Sequence, residues 1–222
     1  MAIKAVVFDF DGTLMDTETC AYDAYCGIYA EYGLRFPLEA WAAGIGTKGY
    51  VYDPFAELER LTGAPVDRNA MNARYQEAHA ANVERATLFP GVLERLEEAR
   101  RLGLSIGLAS SSDRAWIERH LGRQGIRDYF RTVRTCDDVE RVKPDPALYR
   151  LAIGDLGVEP QEAFAIEDSF NGLRAAKAAG LYGVAIPNTV TAKMDFAEAD
   201  LILKSLEQQS LEDIIRLLEQ DK

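Results

Sequence analysis

Two aspartates one residue apart, Asp9 and Asp11, follow four apolar residues, Ala5 to Phe8, and precede Gly12-Thr13-Leu14. The unbroken apolar run fits a strand buried on both faces, as in a parallel sheet. In open α/β sheets ligands sit beyond the carboxyl ends of the strands, and both aspartates would fall there. If the extended backbone continues, residues two apart point the same way. Two carboxylates held so close repel, and one tends to keep its proton. A divalent cation relieves that cost, so the doublet makes a place for Mg²⁺ and an oxyanion. A plainer reading stands beside this one: an Asp after a strand commonly caps the next helix, and Asp-Gly commonly turns the chain.

Three further strand ends carry polar groups. Ser110-Ser111-Ser112 follow the apolar stretch Leu104 to Ala109, Lys143-Pro144 follows the weak strand Thr132 to Thr135, and Glu167-Asp168 closes Ala163 to Ile166. Each has a plain alternative. The serines, or Asp113, can cap a helix; Lys143 can be a solvated loop lysine; Glu167 and Asp168 can favour a helix N-terminus through its macrodipole. If the strands are parallel neighbours, however, all four groups meet on one sheet edge. There they supply a carboxylate nucleophile, a hydroxyl donor, a cation and metal-binding acids.

The elements that must carry these residues can be read from periodicity. Between Asp16 and Arg85 there is no strand pattern. Asp16 or Thr17 can cap a helix with Ala21, Tyr22, Tyr25, Ile28 and Tyr29 at helical spacing, closed by Gly33. Pro37 opens a short helix, Asp53-Pro54 starts another, and Asp67 can cap a fourth bearing Met71, Tyr75 and Ala78. From Phe89-Pro90-Gly91 onward strands and helices alternate, ending in a capping box, Ser210-x-x-Asp213, before the last helix. Repeated strand–helix units imply an α/β fold, a Rossmann-like parallel sheet covered on both faces. The division expected is a core of residues 1–15 and 88–222 and a helical segment of residues 16–87.

Composition narrows the function. About half of the 222 residues are hydrophobic (48%), enough for a sizeable core, and the formal net charge is −11. That balance argues against a nucleic-acid binder, which would show a basic stripe. An anionic substrate would need local help from a metal or a placed lysine. The three cysteines, Cys20, Cys26 and Cys136, form no C-x-x-C pair, which suggests reduced thiols in the cytoplasm. Met1-Ala2-Ile3-Lys4 leads directly into the first strand, so neither a leader nor a membrane span is expected.

The motifs together resemble the haloacid dehalogenase superfamily, on its phosphatase side. Asp9-Phe10-Asp11-Gly12-Thr13-Leu14 matches D-x-D-G-T-L, and Leu108-Ala109-Ser110 matches the strand-then-serine motif. Lys143-Pro144 matches K-P, and Glu167-Asp168-Ser169-x-Asn171-Gly172 matches the acid motif E-D-S-x-x-G. The match spans nearly the whole chain in order. The helical segment sits where that family carries an α-helical cap, and the closer resemblance is to its β-phosphoglucomutase-like and sugar-phosphate phosphatase branch.

The resemblance implies a role for each residue. Asp9 would attack phosphorus and form an aspartyl-phosphate. Asp11 would act as acid and then base. Ser110 and Lys143 would hold phosphoryl oxygens, with Gly12, Ser111 and the cap residue Lys48 also on the substrate side. Mg²⁺ would bind Asp9, the Asp11 backbone carbonyl and Asp168, with Glu167 orienting metal-bound water or ligating directly and Asn171 supporting them. The substrate implied is a small phosphorylated metabolite, with selectivity in cap residues such as Lys48, Tyr50 and Tyr52.

The mutase branch fits less well. Its hinge histidine is absent from Asp16-Thr17-Glu18-Thr19-Cys20-Ala21, and its cap arginine is replaced by Lys48 in Gly44-Ile45-Gly46-Thr47-Lys48. Lysine restores the charge but not the bidentate fork. Hydrolysis is therefore expected over phosphotransfer. A receiver-like module phosphorylated on Asp9 is a further alternative, disfavoured because a receiver needs no lid. His79 and His120 fall in predicted helices and read as structural or surface residues.

Overall fold

In a computed structural model, residues 2–48 and 52–220 are described. Six strands form one sheet: β1 (Ala5–Phe8), β2 (Ser105–Ala109), β3 (Thr132–Arg134), β4 (Ala163–Glu167), β5 (Tyr182–Ala185) and β6 (Leu201–Ile202). Their order is β3-β2-β1-β4-β5-β6, and every pairing is parallel. The order reverses direction between β1 and β4, and that is where an open α/β sheet leaves a crevice for ligands.

Alternation along β1 shows why the strand is apolar throughout. Val6 and Phe8 join a core with Val92, Leu96, Ile117 and Leu121, from helices α5 (Val92–Arg101) and α6 (Arg114–Arg123). Ala5 and Val7 face the other way. They pack with Leu148, Tyr149 and Ala152 of α7 (Ala147–Leu156) and with Ala175 and Ala176 of α8 (Phe170–Ala178). Both faces are covered, so neither parity tolerates a polar residue until the strand ends. The last helix, α9 (Leu211–Gln220), closes the first layer, its start capped by Ser210 accepting from the Asp213 N–H at 3.0 Å.

Between β1 and α5 lie α1 (Thr17–Glu31), α2 (Leu38–Ala42), α3 (Pro54–Thr62) and α4 (Arg68–Arg85). They bury an apolar cluster of their own around Ile28, Tyr29, Phe36, Phe55, Leu58 and Met71. The outgoing and returning strands of chain meet side by side. Met15 bridges Leu88, and the Phe89 N–H donates to the Leu14 carbonyl at 2.9 Å. This helical insertion rests on the core: the Ser111 hydroxyl donates to the Gly46 carbonyl (2.9 Å) and the Asn171 amide to the Ile45 carbonyl (2.8 Å).

Helix caps decide the plainer readings of the motifs. Asp16 caps α1, Asp113 caps α6 and Ser169 caps α8, each accepting from a backbone N–H of the first turn. Asp9, Asp11, Ser110, Glu167 and Asp168 therefore cap none of these helices. Among the described residues no helix is long and apolar enough to cross a membrane.

Candidate active site

The register of the sheet brings the strand ends together. Phe8 is level with Leu108 on one side and Ile166 on the other, so Asp9 falls beside Ala109 and Glu167. The Asp9 N–H donates to the Ile166 carbonyl at 3.0 Å and continues the ladder one step beyond the strand. Asp9, Ser110, Lys143, Glu167 and Asp168 are all buried.

Lys143 reaches this point from the loop before α7. Its ammonium donates to Asp9 Oδ1 at 2.5 Å and to Glu167 Oε1 at 2.7 Å. Burial alone would pull the ammonium down, but Asp9 and Glu167 outweigh it and push it up. An ammonium has three donors, so one N–H is left for a ligand. Glu167 also accepts from the Tyr149 hydroxyl (2.5 Å) and the Ser169 hydroxyl (3.3 Å). A side chain at Gly172 would place its first carbon 2.0 Å from the Glu167 carboxylate, which explains the glycine of the acid motif.

Asp168 accepts from the Asn188 amide at 2.7 Å and from Thr13 Oγ1 at 3.4 Å. Burial, then the Asp9 and Glu167 charges, push its carboxyl well up. Asp9 is pushed up to about 7 by burial, with Lys143 opposing and Glu167 and Asp11 adding. Carboxylate oxygens of Asp9, Glu167 and Asp168 lie within 4.8 Å of one another. Burial is the first reason that Asp9 and Asp168 resist ionisation, and the negative charge left uncompensated by a single ammonium adds to it. An all-oxygen set of this charge suits a hard divalent cation, so the residues fit such an ion.

Asp11 stands beside this cluster in a different environment. Its Oδ1 accepts from the Thr17 hydroxyl (2.8 Å) and the Trp116 indole N–H (2.9 Å). Its Oδ2 accepts from Ser112 (2.6 Å) and, at 3.5 Å, from Ser110. Gly12 donates to the Met15 carbonyl and accepts from Asn188, holding a left-handed turn at φ 81° against Asp168.

Two cavities lie at the insertion, one of them open to Asp11. A cavity of about 270 Å³ is lined by Glu18, Trp41, Ile45, Gly46, Thr47 and Tyr52. Burial, then the charges of Asp11, Asp9 and Asp16, push the Glu18 carboxyl up to about 8. The Trp41 indole N–H is buried with no partner among the described residues. An adjoining cavity of similar size reaches Asp11, Lys48, His79 and Trp116.

Several expectations take a definite position. Asp9, Ser110, Lys143, Glu167 and Asp168 converge, with Asp11 next to them. The Ser111 hydroxyl is engaged by Gly46, and the Asn171 amide reaches Ile45 of the insertion rather than the acid cluster. Lys48 lines the second cavity while its ammonium meets Cys136 Sγ at 2.9 Å. Tyr50 lies outside the described residues. Sequence reasoning missed Tyr149, Asn188, Thr17 and Trp116 as site partners. Ser112 read as a helix cap, but its hydroxyl goes to Asp11. His120 is buried, and among the described residues both its ring nitrogens lack a partner, so it serves as a packing ring.

A parallel α/β sheet whose switch point gathers a buried lysine and four carboxylates defines a hydrolase built for anionic esters. The family model described as haloacid dehalogenase-like hydrolase matches residues 6–186. The chain belongs to that family and is one of its phosphatases. A Bacillus subtilis (strain 168) protein, YhcW, named as a candidate phosphatase, is 44% identical over 209 residues, covering 94% of each chain. A phosphorylated carbohydrates phosphatase of Thermotoga maritima is 31% identical, covering 82% of this chain and 85% of its own. Among solved structures, CbbY from Rhodobacter sphaeroides in complex with xylulose-(1,5)bisphosphate superposes with a TM-score of 0.71. It is 31% identical and covers 93% of this chain and 96% of that one.

Proposed function

We propose that the chain is a Mg²⁺-dependent phosphatase that hydrolyses a small phosphorylated metabolite, a sugar phosphate by preference, through an aspartyl-phosphate on Asp9. The observation that carries this reading is the Lys143 ammonium held between Asp9 and Glu167, with Asp168 closing the carboxylate cluster beside it. Asp9, Asp168 and the Asp11 backbone carbonyl would hold the ion, with Glu167 beside them. When bound, Mg²⁺ supplies charge stabilisation at the phosphoryl oxygens.

The chain's own residues account for the rest. Asp9 adds a carboxylate oxygen to phosphorus while the ester P–O bond breaks. Asp11 gives its proton to the departing oxygen, then takes one from the water that attacks the same phosphorus and restores Asp9. Lys143 and Ser110 donate to the phosphoryl oxygens, Lys143 with its remaining N–H. The leaving group lies in the cavity under the insertion, where Glu18 and the Trp41 N–H offer polar contacts suited to hydroxyl groups. The relative named for phosphorylated carbohydrates supports that class.

Residues 16–87 act in this reading as a cap over a core of residues 1–15 and 88–222. The paired linkers at Met15 and Leu88 supply the hinge, and closure excludes bulk water. A screen of phosphorylated metabolites for phosphate release tests the proposal, with Asp9→Asn as control. Turnover by wild type and none by the folded variant is expected. Activity of Asp9→Asn within about tenfold of wild type would remove Asp9 as nucleophile.

A further inference from the structure

Trp116 has no place in the motifs, yet its indole N–H donates to Asp11 at 2.9 Å. It sits in the first turn of α6, where Asp113 accepts from its backbone N–H at 2.8 Å and fixes where the helix starts. Its indole N–H then reaches Asp11 Oδ1 at 2.9 Å. The other donor to that oxygen is Thr17, which belongs to α1 of the insertion.

The ring of Trp116 also belongs to a column that crosses from the insertion to the core. Tyr25 stacks on Tyr75 (4.1 Å between centroids), Tyr75 on His79 (5.5 Å), and His79 on Trp116 (5.9 Å, 15° between planes). On the far side Trp116 meets His120 edge-on at 4.2 Å, and His120 lies 6.2 Å from Phe10, the residue between the two aspartates. Offset and edge-on ring contacts are favourable beyond their buried area. The column thus starts in the insertion's own apolar cluster and ends beside Asp9 and Asp11.

The same helix α6 grips α4 at its base. Arg123 donates to the Val83 carbonyl at 3.1 Å, and Gln124 to the Ala86 carbonyl at 3.3 Å, next to the returning linker. His79 lies four residues further along α4, about 6 Å from that anchor at the rise of an α-helix. A lift of the insertion about its linkers would leave the anchor in place and draw His79 away from Trp116, as it would part the Ser111–Gly46 and Asn171–Ile45 contacts.

We infer that Trp116 is a positioning residue for Asp11, and that the His79 ring braces it, so that Asp11 is set for proton transfer when the insertion is seated on the core. The inference rests on the phosphatase reading above. It adds to that reading a reason why acid–base chemistry waits for closure.

The test uses two probes of nearly equal shape, phenyl phosphate and p-nitrophenyl phosphate. Their phosphoryl transfer to Asp9 is compared through kcat/KM. The phenolate of the first departs poorly without a proton from Asp11, whereas p-nitrophenolate departs without one. Trp116→Phe keeps the ring and removes the N–H. It is expected to lower kcat/KM about tenfold or more for phenyl phosphate and less than about threefold for p-nitrophenyl phosphate. His79→Ala should show the same selective loss, and His79→Phe should restore it by restoring the stack. These two carry the test should Trp116→Phe fail to fold.

Equal losses on both esters would mean a merely structural role and overturn the inference. So would wild-type values for Trp116→Phe on both. Wild-type protein that hydrolyses neither ester would instead overturn the phosphatase reading, and this inference with it.

Discussion

Adding one methyl group at Gly12 tests the acid cluster from its least reactive side. Gly12 holds φ 81°, and the first side-chain carbon there would stand 2.3 Å from Asp168 Oδ2 and 2.7 Å from Asn188 Nδ2. The left-handed conformation costs a non-glycine residue about 1–2 kcal/mol. Asp168 would have to withdraw by about 1 Å to reach an ordinary contact distance. That withdrawal strains its bond to Asn188, worth about 1 kcal/mol. Together Gly12→Ala should cost about 2–3 kcal/mol, which for a chain of this size is a fall of about 5–10 °C in Tm. A 1 Å misplacement of a group that holds the phosphoryl site costs about 100-fold in rate.

Thermal melts and phosphate release measure the two effects, and a double-mutant cycle separates their causes. In an Asp168→Ala background the carboxylate clash is gone, and Gly12→Ala should cost less, its backbone strain of about 1–2 kcal/mol and the shift of the Asn188 amide, which no longer holds Asp168. Equal penalties in both backgrounds would refute the idea that Gly12 exists to admit Asp168. So would a single variant that melts within about 1 °C of wild type and keeps its rate.

Three further outcomes are expected. Chelation should stop turnover and Mg²⁺ restore it, and Asp168→Ala should move the Mg²⁺ titration to much higher concentration; an unchanged titration would clear Asp168 of the ligand role. Glu18, with a carboxyl pushed up to about 8, favours the folded state most when protonated, so its contribution is full below the unfolded range and is lost as pH rises through about 8. Glu18→Gln should therefore melt a few degrees above wild type at alkaline pH, the gap narrowing on acidification; a gap that widens in acid would reverse the sign. Hexose 1-phosphates, if hydrolysed, should yield free sugar and inorganic phosphate, because the hinge histidine and cap arginine of a mutase are absent; mostly hexose 6-phosphate among the products would overturn hydrolysis.

Much of the strand-end cluster was legible because three of the four motifs sit where an apolar strand stops, while Lys143-Pro144 lies further on, in the loop before α7. Phe8 to Asp9 and Ile166 to Glu167 are changes from buried apolar to buried charged residues, and such a change has few structural uses. Periodicity also separated the helical segment from the strands, since Ala21, Tyr25 and Ile28 keep a helical repeat that no strand could bury. What stayed hidden was lateral. The order β3-β2-β1-β4 is not encoded in any one strand, and Asn188 reaches Asp168 from after β5 with no motif around it. Trp116 carries no motif that would mark it from the sequence; its N–H contact depends on where Asp113 starts α6. Ser111 and Asn171, which flank or fall within the motifs, bond the insertion, a contact between segments distant in sequence.

Charge explains why these parts must work together. Asp9, Glu167 and Asp168 place three carboxyl groups around one ammonium, in a chain already carrying a net charge of −11. A phosphate monoester brings up to two more negative charges into the same space. Lys143 alone cannot balance that sum, and burial strengthens every unscreened repulsion. In the proposed reading a divalent cation at the carboxylates would offset two of those charges and make the cluster able to accept a phosphoryl group. Excluding water then strengthens the attraction of that cation and Lys143 for the phosphoryl oxygens. In the proposed reading the insertion, acting as a cap, would thus be part of the electrostatics, because the same acidity that calls for a cation gains from the exclusion of water.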